Sequence, residues 1–393
     1  MPVLCPDFDK VSCAREKIGE LGVLVCELDR HPPFAEADFI RKLARAAPRY
    51  GLDVYAFAPW TWNAKRQSIQ AWKWKVPEGG WYREERRAPS LVYDRSWPSG
   101  PEERRRFRDG MNRLQHAVPL RRLNGRLPGK VEVYAALSRV GKLADCLPPT
   151  ALYDGKKKLA DWLDRCGGAV FLKPSNGSQG RRVAAIVRSD PYDGTVTICG
   201  RTSGNVPFRL GGIGESVALE RIHRWIGDRA YIVQPFLSLT GAGGEPFDVR
   251  LLAQRNGKGG WALAGAAIRT GRSGTVTSNL HGGGSPHHAE TYLSARFGKP
   301  QSDALLLELR RIAGVVIRSL EQSFGKFAEL GLDFGIDRSG RVWFLEANSK
   351  PGRAAMACAG GKAAKAAAER PLAYARYILL RPSGRVSHEF DLV

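Results

Sequence analysis

The chain has 393 residues, 43% of them hydrophobic, with 61 Lys and Arg against 39 Asp and Glu and a formal charge of +22. That size and apolar content suffice for two or three domains with well-buried cores. No apolar run approaches the roughly 20 residues of a membrane-spanning helix, Met1–Lys10 lacks a signal-peptide core, and seven scattered cysteines without a Cys-x-x-Cys argue against disulfide or zinc frameworks. An intracellular protein with no membrane partner is expected.

Taken in chain order, the first zone alternates strand and helix patterns: a strand at Val23–Cys26, a helix at Ala35–Arg49, then strands at Val54–Phe57 and Leu91–Tyr93. This βαβ rhythm predicts parallel pairing. Residues 102–160 read as helical and basic, broken at Leu147-Pro-Pro149. Residues 61–130 hold 17 basic and 7 acidic side chains, and Trp62, Trp72, Trp74, Trp81 and Trp97 are interleaved with them. Such a mixture suits a single-stranded nucleic acid groove or an acidic polymer. A core role for most of these tryptophans is the stronger reading, and an acidic macromolecule ranks ahead of nucleic acid.

Ala169–Val187 reads as strand, Gly-rich loop, strand. Lys173 ends the first strand, and Gly177 and Gly180 bracket Ser178 in the loop. Glycines let backbone N–H groups approach phosphate oxygens, and the lysine adds a point charge. No helix pattern follows and no Walker motif occurs, and a lone Gly-rich hairpin is more often just a turn. Gly211–Ser216 lacks dinucleotide-binding spacing and reads as a lid turn. His287 and His288 read as part of a polar loop with no metal role, whereas His281 could touch substrate or serve loop packing.

Ala304–Leu330 reads as one long amphipathic helix, and Leu330–Gly352 follows as a hairpin about the turn Asp337-Arg338-Ser339-Gly340. Folding there brings Asp333 to the same end as Glu346 and Asn348, which are two apart and share a strand face. Two carboxylates and an amide oxygen form a hard donor set suited to Mg²⁺ beside nucleotide phosphates. With such a hairpin in the same chain, the Gly-rich loop becomes strong evidence for phosphate binding. Ala354–Glu369 reads as an alanine-rich helix, followed by Pro371–Leu380.

At these residues the chain resembles the ATP-grasp superfamily, which implies an α/β fold of two α+β lobes clamping ATP behind a pre-ATP-grasp βαβ domain. The implied layout is 1–115 for that domain, 116–235 for the N-lobe and lid, and 236–393 for the C-lobe with the metal site. The resemblance implies metal ligation by Asp333, Glu346 and Asn348, with Pro351-Gly352 closing the motif. It implies a phosphate-gripping lid from Lys173 and the loop containing Ser175, Gly177, Ser178 and Gly180, and an ATP lysine at Lys130 before a helix. Tyr231–Leu237, with Gln234 and Leu237, looks like the hinge strand that meets adenine. Gln234 stands where many relatives have an acid, and no acid stands clearly at the expected ribose position.

Phe247–Leu252, Ala264–Thr270 and Thr277–Ser285 are similar to the branch with glutathione synthetases and the ligase that adds glutamates to a ribosomal protein. In that branch Arg250 and Arg269 would face phosphoryl and acyl-phosphate charge, and Asn279 would lie near the transferred group. An isolated arginine is usually a solvated surface residue, but both stand at inward positions of apolar strands. The N-terminal segments Leu21–Glu27, His31–Phe34, Tyr50–Pro59 and Leu91–Arg95 resemble the endospore coat-associated ATP-grasp proteins of spore-forming bacteria.

Together these imply an ATP-dependent carboxylate–amine or thiol ligase acting on a small molecule, amino acid or peptide through an acyl phosphate. Two Mg²⁺ ions are implied, and Mn²⁺ would serve the same donors. The alternatives are a spore-coat protein holding ATP as a structural ligand, and a nucleic-acid binder using the Trp/Arg zone. The pattern fixes neither the acyl donor, nor the acceptor, nor the oligomeric state.

Overall fold

Parallel strands buried on both faces need near-continuous apolar runs, and the first zone supplies them. The computed structural model describes residues 16–76, 78–177, 180–189, 194–278, 280 and 283–381. Strand β1 (Gly19–Leu24) pairs in parallel with β2 (Leu52–Phe57) and β5 (Leu91–Asp94). Helix α1 (Ala37–Ala46) makes the β1–β2 crossover. The expected βαβ rhythm is therefore present, with Leu21, Val23, Tyr55, Phe57, Leu91 and Val92 at or near zero exposure. Helix α2 (Pro101–Ala117) turns Met111 and Leu114 inward, and β6 (Arg121–Arg122) extends the sheet in parallel beyond β5.

The tryptophan-rich zone contributes an antiparallel extension that the sequence reading did not foresee: β3 (Ser68–Trp74) and β4 (Trp81–Arg87), giving the order β4-β3-β2-β1-β5-β6. Their aromatics are engaged. Trp72 donates its Nε1–H to Glu27 at 2.8 Å and carries Arg83 stacked 4.7 Å over its ring. Trp74 meets Trp81 edge-on at 5.2 Å, and Trp81 meets Phe34 at 4.8 Å. Arg86 bridges Glu20, Asp53 and Glu84. Arg104, Arg105 and Arg108 of α2 lie exposed.

The second sheet is antiparallel. After α3 (Lys130–Leu137) come β7 (Ala151–Leu152), α4 (Gly155–Arg165), β8 (Ala169–Pro174), β9 (Ala184–Arg188) and β10 (Thr195–Arg201). Then follow β11 (Pro207–Gly214), α5 (Glu215–Ile226) and β12 (Tyr231–Pro235), giving the order β11-β10-β9-β8-β12-β7. One face is closed by α4 and α5 through Leu159, Leu163, Ala218, Ile222 and Ile226 against Val170, Leu172, Ile186 and Val233. Gly211–Gly214 is thus strand end rather than a lid turn, with α5 beginning directly at Glu215.

The third sheet has the order β15-β14-β13-β16-β17, from β13 (Phe247–Arg255), β14 (Trp261–Thr270), β15 (Ser285–His288), β16 (Glu329–Ile336) and β17 (Val342–Asn348). Between β15 and β16 run α6 (Ala289–Phe297) and α7 (Lys299–Phe324), the latter burying Leu309, Ile312, Val316 and Leu320. Two expectations are corrected. The long helix stops at Phe324, because Gly325 takes φ 86°, a left-handed value that glycine adopts freely, and residues to Leu330 pass into β16. His287 lies on β15, where its Nε2 meets Thr270 Oγ1 at 2.9 Å, not in a free loop.

The C-terminal helix is also displaced from its expected span. Ala354–Ala357 forms a short 3-10 turn, and α8 (Gly361–Leu379) then runs through Pro371. Proline removes the N–H that would bond the carbonyl of Ala367. That carbonyl is satisfied instead by Gln254 Nε2 at 3.1 Å and Arg353 Nε at 3.0 Å. By compactness the described residues divide into two units, one of 16–124, 255–261 and 368–381, the other of 125–254 and 262–367.

Candidate active site

The hairpin β16–β17 is shaped by its turn. Asp337 Oδ1 accepts from the N–H groups of Ser339 and Arg341, each at 3.0 Å, and from Ser339 Oγ at 2.6 Å; Gly340 adopts φ 86°. Asp333 and Glu346 stand directly opposite in the antiparallel register, with an irregularity between Asp333 and Phe334. A bulge at that place bends the strand and re-aims its side chains. Asn348 lies on the face of Glu346 and donates Nδ2–H to its Oε1 at 2.9 Å.

The lysines arrive from separate elements. Lys173, at the end of β8, is buried and donates to the Leu345 carbonyl at 3.1 Å, with the Tyr134 ring 5.3 Å away. Burial pushes its ammonium down to about 8, with Glu346 opposing and Lys130 adding to the fall. Lys130 opens α3, donates to the Gly177 carbonyl at 2.7 Å and stands 3.7 Å from Glu346 Oε2. Ser175 is buried: its N–H bonds Ala230 at 2.9 Å and its carbonyl accepts the Lys130 N–H at 3.0 Å.

Beneath them lies a charge cluster built across three strands. Arg250 of β13 grips Asp333 with Nε and Nη2. Arg269 of β14 donates Nε and Nη2 to Asp248 at 2.6 and 2.8 Å, and Nη2 also lies 3.0 Å from Asp333 Oδ2. Ser278 Oγ also donates to Asp248. Burial would raise the Asp333 carboxyl, but Arg250 and Arg269 outweigh it and hold it well below the usual carboxylate range. Burial, aided by the Asp333 charge, lifts Asp248 above its ordinary value against the pull of Arg269. Between the second and third sheets is a cavity of about 210 Å³. Lys130, Lys173, Gly177 and Gly180 line it together with Gln234 of β12, Leu237 just after that strand, and Asp248, Arg269, Asp333 and Glu346. Gln234 is anchored through Nε2 to Thr150 Oγ1 at 2.7 Å.

Most of the sequence-derived set therefore meets at one cavity. Arg250, Asn348 and Ser175 stand behind its lining residues, and Ser178, Asn279 and His281 lie outside the described residues. Asp248 was missed. The available signal was its position two residues before Arg250 in an apolar strand, which places both on one face. Among the described residues no three His, Cys, Asp or Glu side chains cluster as metal ligands. The oxygen donors still fit a hard cation: Glu346 faces the cavity with Asn348 beside it, and Asp333 would have to share its oxygens with Arg250.

A family model described as YheC/D-like ATP-grasp matches residues 120–378. Endospore coat-associated protein YheC of Bacillus subtilis (strain 168) is 24% identical over 318 residues, covering 81% of this chain and 86% of the relative. Endospore coat-associated protein YheD of the same strain is 24% identical over 323 residues, covering 82% and 69%. The crystal structure of D-cycloserine synthetase DcsG aligns at a TM-score of 0.51 and 15% identity, over 89% of this chain and 99% of that chain, a likeness of fold.

Proposed function

The chain belongs to the YheC/D-like ATP-grasp family, an ATP-dependent ligase family, and from that premise we propose that it activates a carboxylate as an acyl phosphate for attack by an amine or thiol. The observation that carries this reading is the meeting of Lys130, Lys173, Glu346 and the Asp333–Arg269 pair around one cavity. Such chemistry needs positioning and charge stabilisation rather than a covalent protein nucleophile.

In this reading Lys130, Lys173 and the Ser175–Gly180 loop, including Ser178, hold the phosphates. The β12 hinge, with Gln234 and Leu237, seats the base. Arg269 and Asn279 face the transferred phosphoryl and the tetrahedral centre, and Arg250 supports them from behind the lining through Asp333. Glu346 and Asn348, with Asp333, would hold Mg²⁺ or Mn²⁺, two ions by analogy with the family; a bound divalent cation would spread the phosphate charge. The four residues Lys173, Arg250, Asp333 and Arg269 are buried, so their charges act in a medium that screens them less than water does.

We assign the substrate to amino acids or peptides, with an acidic chain favoured by the net charge of +22. Among the described residues no helix is long and apolar enough to cross a membrane. The names of the two Bacillus relatives support an association with the spore coat, following synthesis in the cytoplasm. The test is ADP release across amino acid and peptide pools, beside a Mg·ATP-induced rise in melting temperature. No pool raising ADP release above background, together with a melting temperature indifferent to saturating Mg·ATP, would reject the reading.

A further inference from the structure

Tyr134, buried on α3 one turn after Lys130, touches both Lys173 and the strand that carries Glu346. Across β16 and β17, Asp333 stands opposite Glu346 and Phe334 opposite Phe344, so Leu345 has no residue facing it. An extra residue of this kind drops out of the ladder, and its carbonyl needs donors from elsewhere. Two side chains supply them. Tyr134 Oη donates to the Leu345 carbonyl at 2.6 Å and lies 3.3 Å from the Phe344 carbonyl. Lys173 Nζ donates to the same Leu345 oxygen at 3.1 Å, and the Tyr134 ring lies 5.3 Å from that Nζ. The lysine assigned to the phosphates is thus tied, in the resting site, to a backbone oxygen one residue before Glu346.

We propose that Tyr134 is a positioning residue that keeps the Leu345 carbonyl satisfied when Lys173 turns to the nucleotide phosphates. A polar group left without its partner inside a protein is costly. Were Lys173 the sole donor, its ammonium would be divided between this carbonyl and the phosphates. An ammonium has three N–H groups, but they diverge, so holding one on Leu345 limits how closely the others meet phosphate oxygens. The Tyr134 hydroxyl serves the carbonyl whether or not Lys173 stays, and it holds the backbone before Glu346 in place while the lysine moves. The hydroxyl does this and not the ring, whose contact with Nζ a phenylalanine would keep. The inference rests on the reading of Lys173 as a phosphate ligand.

The test is calorimetric binding of Mg·AMP-PNP to the wild type, Tyr134→Phe, Lys173→Met and the double variant. Tyr134→Phe should bind about fivefold or more weakly, the lower end of the cost of an unsatisfied acceptor. In the Lys173→Met background no lysine has to leave the carbonyl, so adding Tyr134→Phe should change the affinity by less than about twofold. Gln234 also reaches this phenol. A loss acting through that hinge residue, or through general loosening of the site, would persist without Lys173, and such persistence overturns the proposal. Wild-type affinity in Tyr134→Phe overturns it too. Should Tyr134→Phe fail to fold, Lys173→Met decides through its melting temperature without nucleotide. With Tyr134 on the carbonyl it should melt no lower than about 2 °C below the wild type, and a larger fall, the scale of a stranded acceptor, would refute the role. A wild type that ignores Mg·AMP-PNP would instead sink the nucleotide site itself, and the proposal with it.

Discussion

Lys173 gives a prediction whose size follows from its surroundings. Its ammonium is buried, and burial pulls it down to about 8, with Glu346 and Asp333 resisting and Lys130 assisting. The nucleotide phosphates are ionised above neutrality, so between pH 7 and 9 this lysine is the site group that changes charge. With a midpoint of about 8 it is about nine-tenths charged at pH 7 and about one-tenth at pH 9. Mg·ATP binding needs the charged form, so affinity should fall about tenfold over that interval, towards the level of Lys173→Met. Binding at pH 8 to 9 should also take up a proton, which calorimetry detects in buffers of different ionisation enthalpy. The apo protein carries the opposite sign. Its folded value lies below the ordinary lysine value, so the charged form is penalised in the fold and stability should rise as pH climbs through about 8. A wild-type affinity as flat with pH as that of Lys173→Met would refute the reasoning.

Replacing Glu346 with Gln should lower turnover by roughly a hundredfold or more, the usual scale for losing a principal electrostatic group, while circular dichroism stays that of the wild type. Phe344 is wholly buried between Phe334 at 5.8 Å and Tyr134 at 6.1 Å, so Phe344→Ala should cost about 3–5 kcal/mol in denaturant unfolding and weaken Mg·ATP binding through loss of the hairpin's seat. Charge reversal at Arg104, Arg105 and Arg106 should raise KM for acidic peptides and leave the Kd for ATP unchanged. The unmodified protein should bind nucleic acid at low salt and release it at physiological salt, because counterion release drives such binding whatever the sequence.

The β16–β17 hairpin was legible because its turn residues and its alternation of inward positions are local signals. The same holds for Lys173 and the Gly-rich loop, which a strand pattern brackets on each side. Arg250, its partner Asp333 and Arg269 were found, but Asp248, the acid that Arg269 grips, was not. An ion pair between β13 and β14 leaves no periodic trace, and Asp248 is 21 positions from Arg269. The strands β3 and β4 escaped because their alternation is of aromatic and charged side chains, Trp72-Lys73-Trp74 among them, rather than apolar and polar. The end of α7 was available in Gly325. The passage of α8 through Pro371 was not, since it depends on Gln254 and Arg353, far away in sequence, serving the Ala367 carbonyl.

The most direct test of the central claim is the nucleotide product formed when purified protein is given Mg·ATP with amino acid and peptide pools. Acyl-phosphate ligation predicts ADP and inorganic phosphate in equal amounts, matched by a condensed product in the mass spectrum and abolished by Glu346→Gln. Formation of AMP and pyrophosphate, or a condensed product that persists undiminished in Glu346→Gln, would contradict the account.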